Sequence, residues 1–175
     1  MLIKFAVKNF RGFAERIEWD LSHPSNYSFN TYAVKDGVIK NGIIYGPNGS
    51  GKTNFSVALF DIVNHLTQKS KKPDYYQNFV YGGDSNLMVE FEYTFQFGNK
   101  TIEYQYSKNV FGALVKEALI VGGTVIFKRR IGTLELNEQQ FPINKDAKRN
   151  LQMNANSISI VNYLLTSYPL AHDHY

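Results

Sequence analysis

The clearest pattern in the chain is a strict alternation. Val89, Phe91, Tyr93, Phe95 and Phe97 are apolar, and the intervening Glu90, Glu92, Thr94 and Gln96 are polar. A period of two sends successive side chains to opposite faces, as in a strand with one face buried and one wet. Gly98-Asn99 supplies a turn, and Ile102, Tyr104 and Tyr106 resume the alternation, which predicts a β-hairpin. A second hairpin is predicted from residues 115–121, Gly122-Gly123 and residues 124–130. Gly132-Thr133 then turns the chain into Leu134-Glu135-Leu136. Residues 87–137 therefore read as an antiparallel β meander.

The N-terminal part mixes periods. Ile3, Phe5 and Val7 alternate with Lys4, Ala6 and Lys8, and Ile17, Trp19 and Leu21 alternate with Arg16, Glu18 and Asp20. These predict two half-buried strands joined by a turn at Asn9-Phe10-Arg11-Gly12-Phe13. Residues 22–32 are polar and read as a loop. Val38-Ile39 and Ile43-Ile44-Tyr45 follow; the second run is apolar on both faces and bounded by glycines, which predicts a central, fully buried strand. Phe55, Leu59, Ile62, Val63 and Leu66 recur at helical spacing and predict one apolar helix face. Lys69-Ser70-Lys71-Lys72-Pro73 would end that helix, with cations complementing the helix dipole and Pro73 stopping it. His65 falls on its predicted surface. Residues 137–156 are polar and read as a loop. Ile158, Val161, Leu164 and Leu165 predict a final helix over 157–168, before Pro169.

Between the buried run and the long helix lies Gly46-Pro47-Asn48-Gly49-Ser50-Gly51-Lys52-Thr53. Gly46, Gly51, Lys52 and Thr53 satisfy the phosphate-binding P-loop pattern. Glycines admit backbone dihedrals closed to other residues and let the chain approach a phosphate closely. Successive amides from Asn48 to Thr53 would form a concave anion nest, and the helix start adds free N–H donors and a positive dipole end. Lys52 would reach the β and γ phosphates and is the candidate catalytic residue. The Thr53 hydroxyl is the candidate Mg²⁺ ligand. Asn54 completes the expected binding segment. The flanking apolar strand and amphipathic helix are the context the motif requires. From average residue usage, a chance match has odds of roughly one in a hundred.

Composition narrows the classes. The 175 residues suit one domain, organised as a P-loop core over 1–72, the meander over 87–137 and the helix over 157–168. No cysteine is present, which excludes disulfides, thiolate catalysis and Cys-based zinc sites. Met1-Leu2-Ile3-Lys4-Phe5 lacks the apolar stretch of a signal peptide, so a cytoplasmic location is expected. No run approaches the roughly 18 apolar residues of a membrane span, so no membrane partner is expected. The net charge of +4 suits a polyanion, although Lys69, Lys71 and Lys72, and Lys128, Arg129 and Arg130, are runs too short for a nucleic-acid groove. The tyrosines Tyr75, Tyr76 and Tyr81 read as core or interface before base-stacking platforms. His172-Asp173-His174, at the terminus, carries no site.

The loop, in the form Gly-Pro-Asn-Gly-Ser-Gly-Lys-Thr, resembles that of ABC-type ATPase heads. Val7-Lys8-Asn9-Phe10-Arg11-Gly12-Phe13 resembles the K-N-F-R-x-F opening of the RecF/SMC/OLD-like group. The resemblance covers most of residues 1–66 at motif level and is architectural beyond. It implies an α/β fold, a P-loop NTPase N-terminal lobe with an antiparallel subdomain. It also implies ATP and Mg²⁺ as cofactors, and a second copy of the head as an ATP-dependent partner. Arg11 would lie beside the nucleotide. A glutamine after the β region would touch Mg²⁺ and the attacking water; Gln139, Gln140 and Gln152 all stand as candidates.

The chain departs from the family pattern downstream. It has no Leu-Ser-Gly-Gly-Gln signature; Tyr81-Gly82-Gly83-Asp84 has the glycines without the context. It has no strand of four apolar residues ending in Asp-Glu; Ala58-Leu59-Phe60-Asp61 falls inside the predicted helix. No switch histidine follows such a strand. The chain thus reads as the N-terminal lobe of a head, a fragment of a longer protein, with binding but little hydrolysis expected. The resemblance implies a role in DNA repair or phage defence, with DNA a candidate partner. The rival readings are a small-substrate P-loop kinase, disfavoured by the two strands before the loop, and a non-hydrolysing, ATP-regulated interaction module. A guanine-reading Asn-Lys-x-Asp is missing, since Asn144-Lys145-Asp146 lacks the spacer.

Overall fold

The computed structural model describes residues 1–25, 30–67, 69, 72–140, 143–153 and 158–166. The chain is α/β, built on one seven-stranded sheet in which every neighbouring pair is antiparallel. Its strands are β1 (Leu2–Lys8), β2 (Ile17–Asp20), β5 (Val89–Phe97), β6 (Lys100–Lys108), β7 (Leu114–Val121), β8 (Thr124–Arg130) and β9 (Thr133–Leu136), in the order β2-β1-β5-β6-β7-β8-β9. A separate two-stranded ribbon pairs β3 (Val34–Lys35) with β4 (Val38–Ile39). The helices are α1 (Lys52–Leu59), α2 (Asp61–Thr67), α3 (Lys145–Met153) and α4 (Ile160–Thr166).

The meander follows the predicted alternation. Phe91 pairs with Tyr106 and Tyr93 with Tyr104, so the large rings stand opposite one another on a single face. Phe91 and Tyr106 stack with centroids 5.0 Å apart. Helices α1, α2 and α4 cover this face. The Tyr93 hydroxyl donates to the Ala58 carbonyl at 3.0 Å, and Phe5 and Trp19 each meet the Phe55 ring at 5.6 Å. Such aromatic pairs add to the hydrophobic burial that holds the two layers together.

Several expectations change. The first concerns Ile43-Ile44-Tyr45, which is not a strand; Ile43 and Tyr45 are 91% and 90% exposed. A strand exists only by pairing, and no described strand lies against this run, so its apolar side chains stay in solvent.

The predicted long helix is the second. It breaks at Phe60 into α1 and α2, and its buried positions are Phe55, Ala58, Asp61 and His65, while Val63 and Phe60 face out. Asp61 is turned inward because Lys108 and the Tyr106 hydroxyl donate to its Oδ2 at 2.6 and 2.9 Å. A charged pair this deep is stable only when it is paired and further hydrogen-bonded. Its end at residues 70–71 lies outside the described residues; α2 stops at Thr67.

Third, part of the expected loop over 137–156 is helix α3. Asn144 caps it, accepting the Ala147 amide at 2.8 Å on its side chain, and Ala147 and Leu151 are buried one turn apart. Fourth, the last helix buries Ile160 and Leu164 and exposes Leu165; residues 157 and 167–168 lie outside the described residues. Arg129 also leaves the surface basic run, since it is buried against Glu117.

His65, expected at the surface, is buried, stacked 4.0 Å over Tyr106 and 2.8 Å from the Tyr104 hydroxyl. Tyr104 donates its proton to Glu117 at 2.6 Å, so its oxygen accepts from the protonated Nε2 of a neutral imidazole. Burial, and secondarily the charges of Lys108 and Arg129, hold the His65 pKa well below its usual value. The unfolded chain takes up a proton near pH 6.5 that the folded chain refuses. Stability from this residue is therefore complete above about pH 6.5 and falls as pH drops, by up to about 1.4 kcal/mol per unit. Denaturant melts between pH 7 and 5 are expected to show this slope, and His65→Gln is expected to flatten it.

Candidate functional site

Residues 46–53, which carry the P-loop pattern, lie between the exposed run and the body of α1. Gly46 to Ser50 are exposed, and the Ser50 amide bonds back to the Pro47 carbonyl at 3.3 Å. Gly51 is the N-cap of α1 with φ 90° and ψ 6°, a left-handed conformation that favours glycine. Phe55 N to Gly51 O, at 2.8 Å, is the first bond of the helical ladder. The amides of Lys52, Thr53 and Asn54 thus have no acceptor within the helix and point out of its N-terminal end. Eight residues of helix aim their dipole at the same spot.

The Lys52 ammonium closes over this cradle, donating to the carbonyls of Gly46 at 2.7 Å and Pro47 at 2.8 Å. It spans the loop from residue 46 to residue 52. Thr53 sits exposed in the first turn of α1. Among the described residues, no group of three or more His, Asp or Glu is arranged to hold a metal. A Mg²⁺ here would take one protein ligand, Thr53, with the remainder from phosphate oxygens and water, a donor set that suits the ion.

Gly51 has a second role. A Cβ there would come within 2.7 Å of the Phe13 ring, whereas one on Gly49, with φ 81°, would meet nothing within 4 Å. Both substitutions carry left-handed strain of about 1–2 kcal/mol. Gly51→Ala must also displace Phe13 or the start of α1. Its melting point is expected to fall several degrees below that of Gly49→Ala, at roughly 2–4 °C per kcal/mol in a chain this size. Thermal unfolding followed by circular dichroism checks the order.

The turn after β1 brings Arg11 to the loop. Arg11 has φ 50°, its amide bonds to the Phe79 carbonyl at 3.1 Å, and Tyr81 N to Asn9 O at 2.9 Å clamps the other side. The Arg11 guanidinium lies 5.4 Å from the Phe10 and Tyr75 ring centres and donates to Asn54 Oδ1 at 3.4 Å. Its Nε is buried with no hydrogen-bond partner among the described residues. Arg11 thus meets Asn54, in the first turn of α1. Tyr75 and Tyr76 belong to the packing: Tyr75 is wedged beside Arg11 and Phe79, with burial pushing its hydroxyl up to about 12, and Tyr76 presses on Gly112. Tyr81-Gly82-Gly83-Asp84 is an exposed turn behind the clamp.

The glutamine candidates do not join Arg11 and the loop. Gln139 and Gln140 follow β9, and Gln152 lies on α3, which packs on β9. Strand β9 and the β2 edge beside the loop are the two ends of the sheet, roughly 29 Å apart at about 4.8 Å per strand. His172-Asp173-His174 lies outside the described residues.

A feature that sequence reading missed is a buried polar network beneath α2 and α4. The Glu117 carboxylate accepts from Tyr104 at 2.6 Å, Ser159 at 2.7 Å, Arg129 at 2.7 Å and the Ile160 amide at 3.0 Å. It thereby anchors the N-terminus of α4 to the sheet. The signal was present: Lys108, Glu117 and Arg129 all occupy inward-facing phases of their strands.

No family model matches the chain, and a search of curated proteins returns no match. No helix among the described residues is long and apolar enough to cross a membrane.

Proposed function

We propose that this chain is the ATP-binding lobe of an ABC-type ATPase head of the RecF/SMC/OLD-like kind. The observation that carries the reading is the left-handed Gly51 cap feeding α1, with Lys52 drawn across the loop mouth. The free amides at the start of α1, its dipole and the Lys52 ammonium support this reading, since each attracts a phosphate. Arg11, steered to Asn54 by the hairpin turn, adds a second cation beside that helix start. When bound, Mg²⁺ would neutralise charge on the β and γ oxygens, with Thr53 as its protein ligand.

Lys52, the loop amides and Arg11 bind and orient a triphosphate. Nothing in the sequence supplies a Walker B carboxylate or a signature motif, so binding without appreciable turnover is the expected behaviour of these 175 residues. A second head copy is the expected partner in the whole assembly, in DNA repair or phage defence.

Calorimetry of the folded chain with MgATP tests the reading. A single saturable site with negligible phosphate release is expected. A folded sample that takes up no nucleotide ends the proposal; steady turnover on the order of 1 s⁻¹, a typical enzymatic rate, ends the view that the chain only binds.

A further inference from the structure

The sheet has a second face, turned away from the aromatic rings and the helices that cover them. Side chains alternate along each strand, so the neighbours of Phe91, Tyr106, Glu117 and Arg129 point the other way. Cross-strand register sets these neighbours in two rows. One runs Glu90, Ser107, Lys116, Arg130 across β5, β6, β7 and β8. The other runs Glu92, Gln105, Ala118, Lys128 across the same strands. A depression of about 320 Å³ lies over both rows.

Charge is segregated across this depression. Both carboxylates stand on β5 and a cation of each row on β8, three strand intervals or about 14 Å away. Among the described residues Glu90, Lys116, Lys128 and Arg130 make no ion pair, and Glu92 has Arg16. Size alternates on the middle strands. Small Ser107 lies beside long Lys116, and small Ala118 beside long Gln105.

This pattern is self-complementary. Consider a two-fold axis in the plane of contact, running along the strands between β6 and β7. It lays β5 of one copy on β8 of the other, and β6 on β7. Glu90 then meets the partner's Arg130, and Glu92 the partner's Lys128. Lys116 covers the partner's Ser107, and Gln105 the partner's Ala118. Each position in the two rows thus meets opposite charge or complementary size. A face shaped for a polyanion would carry cations throughout, whereas the β5 carboxylates repel one.

We infer that this face is the contact of a two-fold dimer, packed face to face with a second copy of the chain. The same patch serves both copies, as an isologous contact requires. The inference does not rest on the phosphate loop, and the dimer forms without nucleotide, unlike an ATP-driven pairing of heads. Accessible ion pairs are individually weak and screened by salt, so the dimer is weak and salt-sensitive.

Sedimentation equilibrium of the 175-residue chain without nucleotide tests this. Runs at about 0.1 M and about 1 M salt bracket a fall in screening length from about 10 Å to about 3 Å. At the lower salt a dimer with a dissociation constant of about 0.1 mM or tighter is expected, within reach of ordinary protein concentrations. At the higher salt it is expected to weaken at least about tenfold. Glu90→Lys and Arg130→Glu, each checked for folding by circular dichroism, place like charges opposite one another and are each expected to be monomeric. An equimolar mixture of the two is expected to dimerise again, because the unlike pair has opposite charges at both contacts. A low-salt monomer overturns the inference, and if that monomer is retained by duplex DNA the face belongs to a polyanion. A dimer that requires MgATP overturns it as well. So do single variants that dimerise like the parent, or a mixture that stays monomeric.

Discussion

Lys52→Ala is expected to weaken MgATP binding roughly 10- to 150-fold, the loss of about 1.5–3 kcal/mol that accompanies removal of a hydrogen bond to a charged group. The ammonium is the one side-chain cation rooted in the loop itself, and it lies across the mouth at 2.7 and 2.8 Å from two loop carbonyls. On the proposed reading, a bound phosphate would exchange those neutral carbonyls for anionic oxygens, which accept a shorter and stronger bond. Among the described residues Lys52 makes no ion pair, and it sits at the start of α1, so its loss leaves the core intact. The melting point is therefore expected to stay within about 2 °C of the parent, which corresponds to the ±0.5 kcal/mol of ordinary surface changes. Calorimetry and thermal melts on the same samples separate loss of binding from loss of fold. Unchanged affinity in a folded Lys52→Ala chain would remove the phosphate-binding reading.

Glu117→Ala should have the opposite signature, with a large effect on stability. The carboxylate is fully buried, Arg129 is 1% exposed beside it, and four donors converge on its two oxygens. Deleting it strands a buried guanidinium, leaves Tyr104 and Ser159 without their acceptor and uncaps α4. Breaking such a pair from one side costs about 3–5 kcal/mol. At about 2–4 °C per kcal/mol the melting point falls on the order of 10 °C. Arg129 shows why the pair cannot be opened cheaply: burial draws its pKa down, and the Glu117 charge works against that shift. Arg130→Ala, on the exposed phase of the same strand, is the control and is expected within about 0.5 kcal/mol of the parent. A Glu117→Ala chain as stable as the control would show that the network contributes nothing net.

These two residues differ in how they could be read. Lys52 acts through neighbours within six residues of chain, and the geometry it needs is written locally in the glycines and helix start around it. Glu117 acts through Arg129, Ser159 and Tyr104, up to 42 residues away, and only the closed sheet brings them together. The helix after the loop shows the same division. Its existence was legible from apolar spacing, but its rotation was not, because Asp61 is held by Lys108, 47 residues further on. Helix α3 had a local signal in Asn144 that the polar composition of 137–156 obscured.

By itself the sequence determined the antiparallel meander, the two N-terminal strands and the composition of the phosphate loop, because alternation, glycine turns and loop dihedrals are properties of neighbouring residues. Tertiary structure alone decided which charges are buried, where His65 lies, and that Arg11 meets Asn54. It also left Ile43 and Tyr45 in solvent, since an apolar run becomes a strand only where another backbone is present to accept its hydrogen bonds.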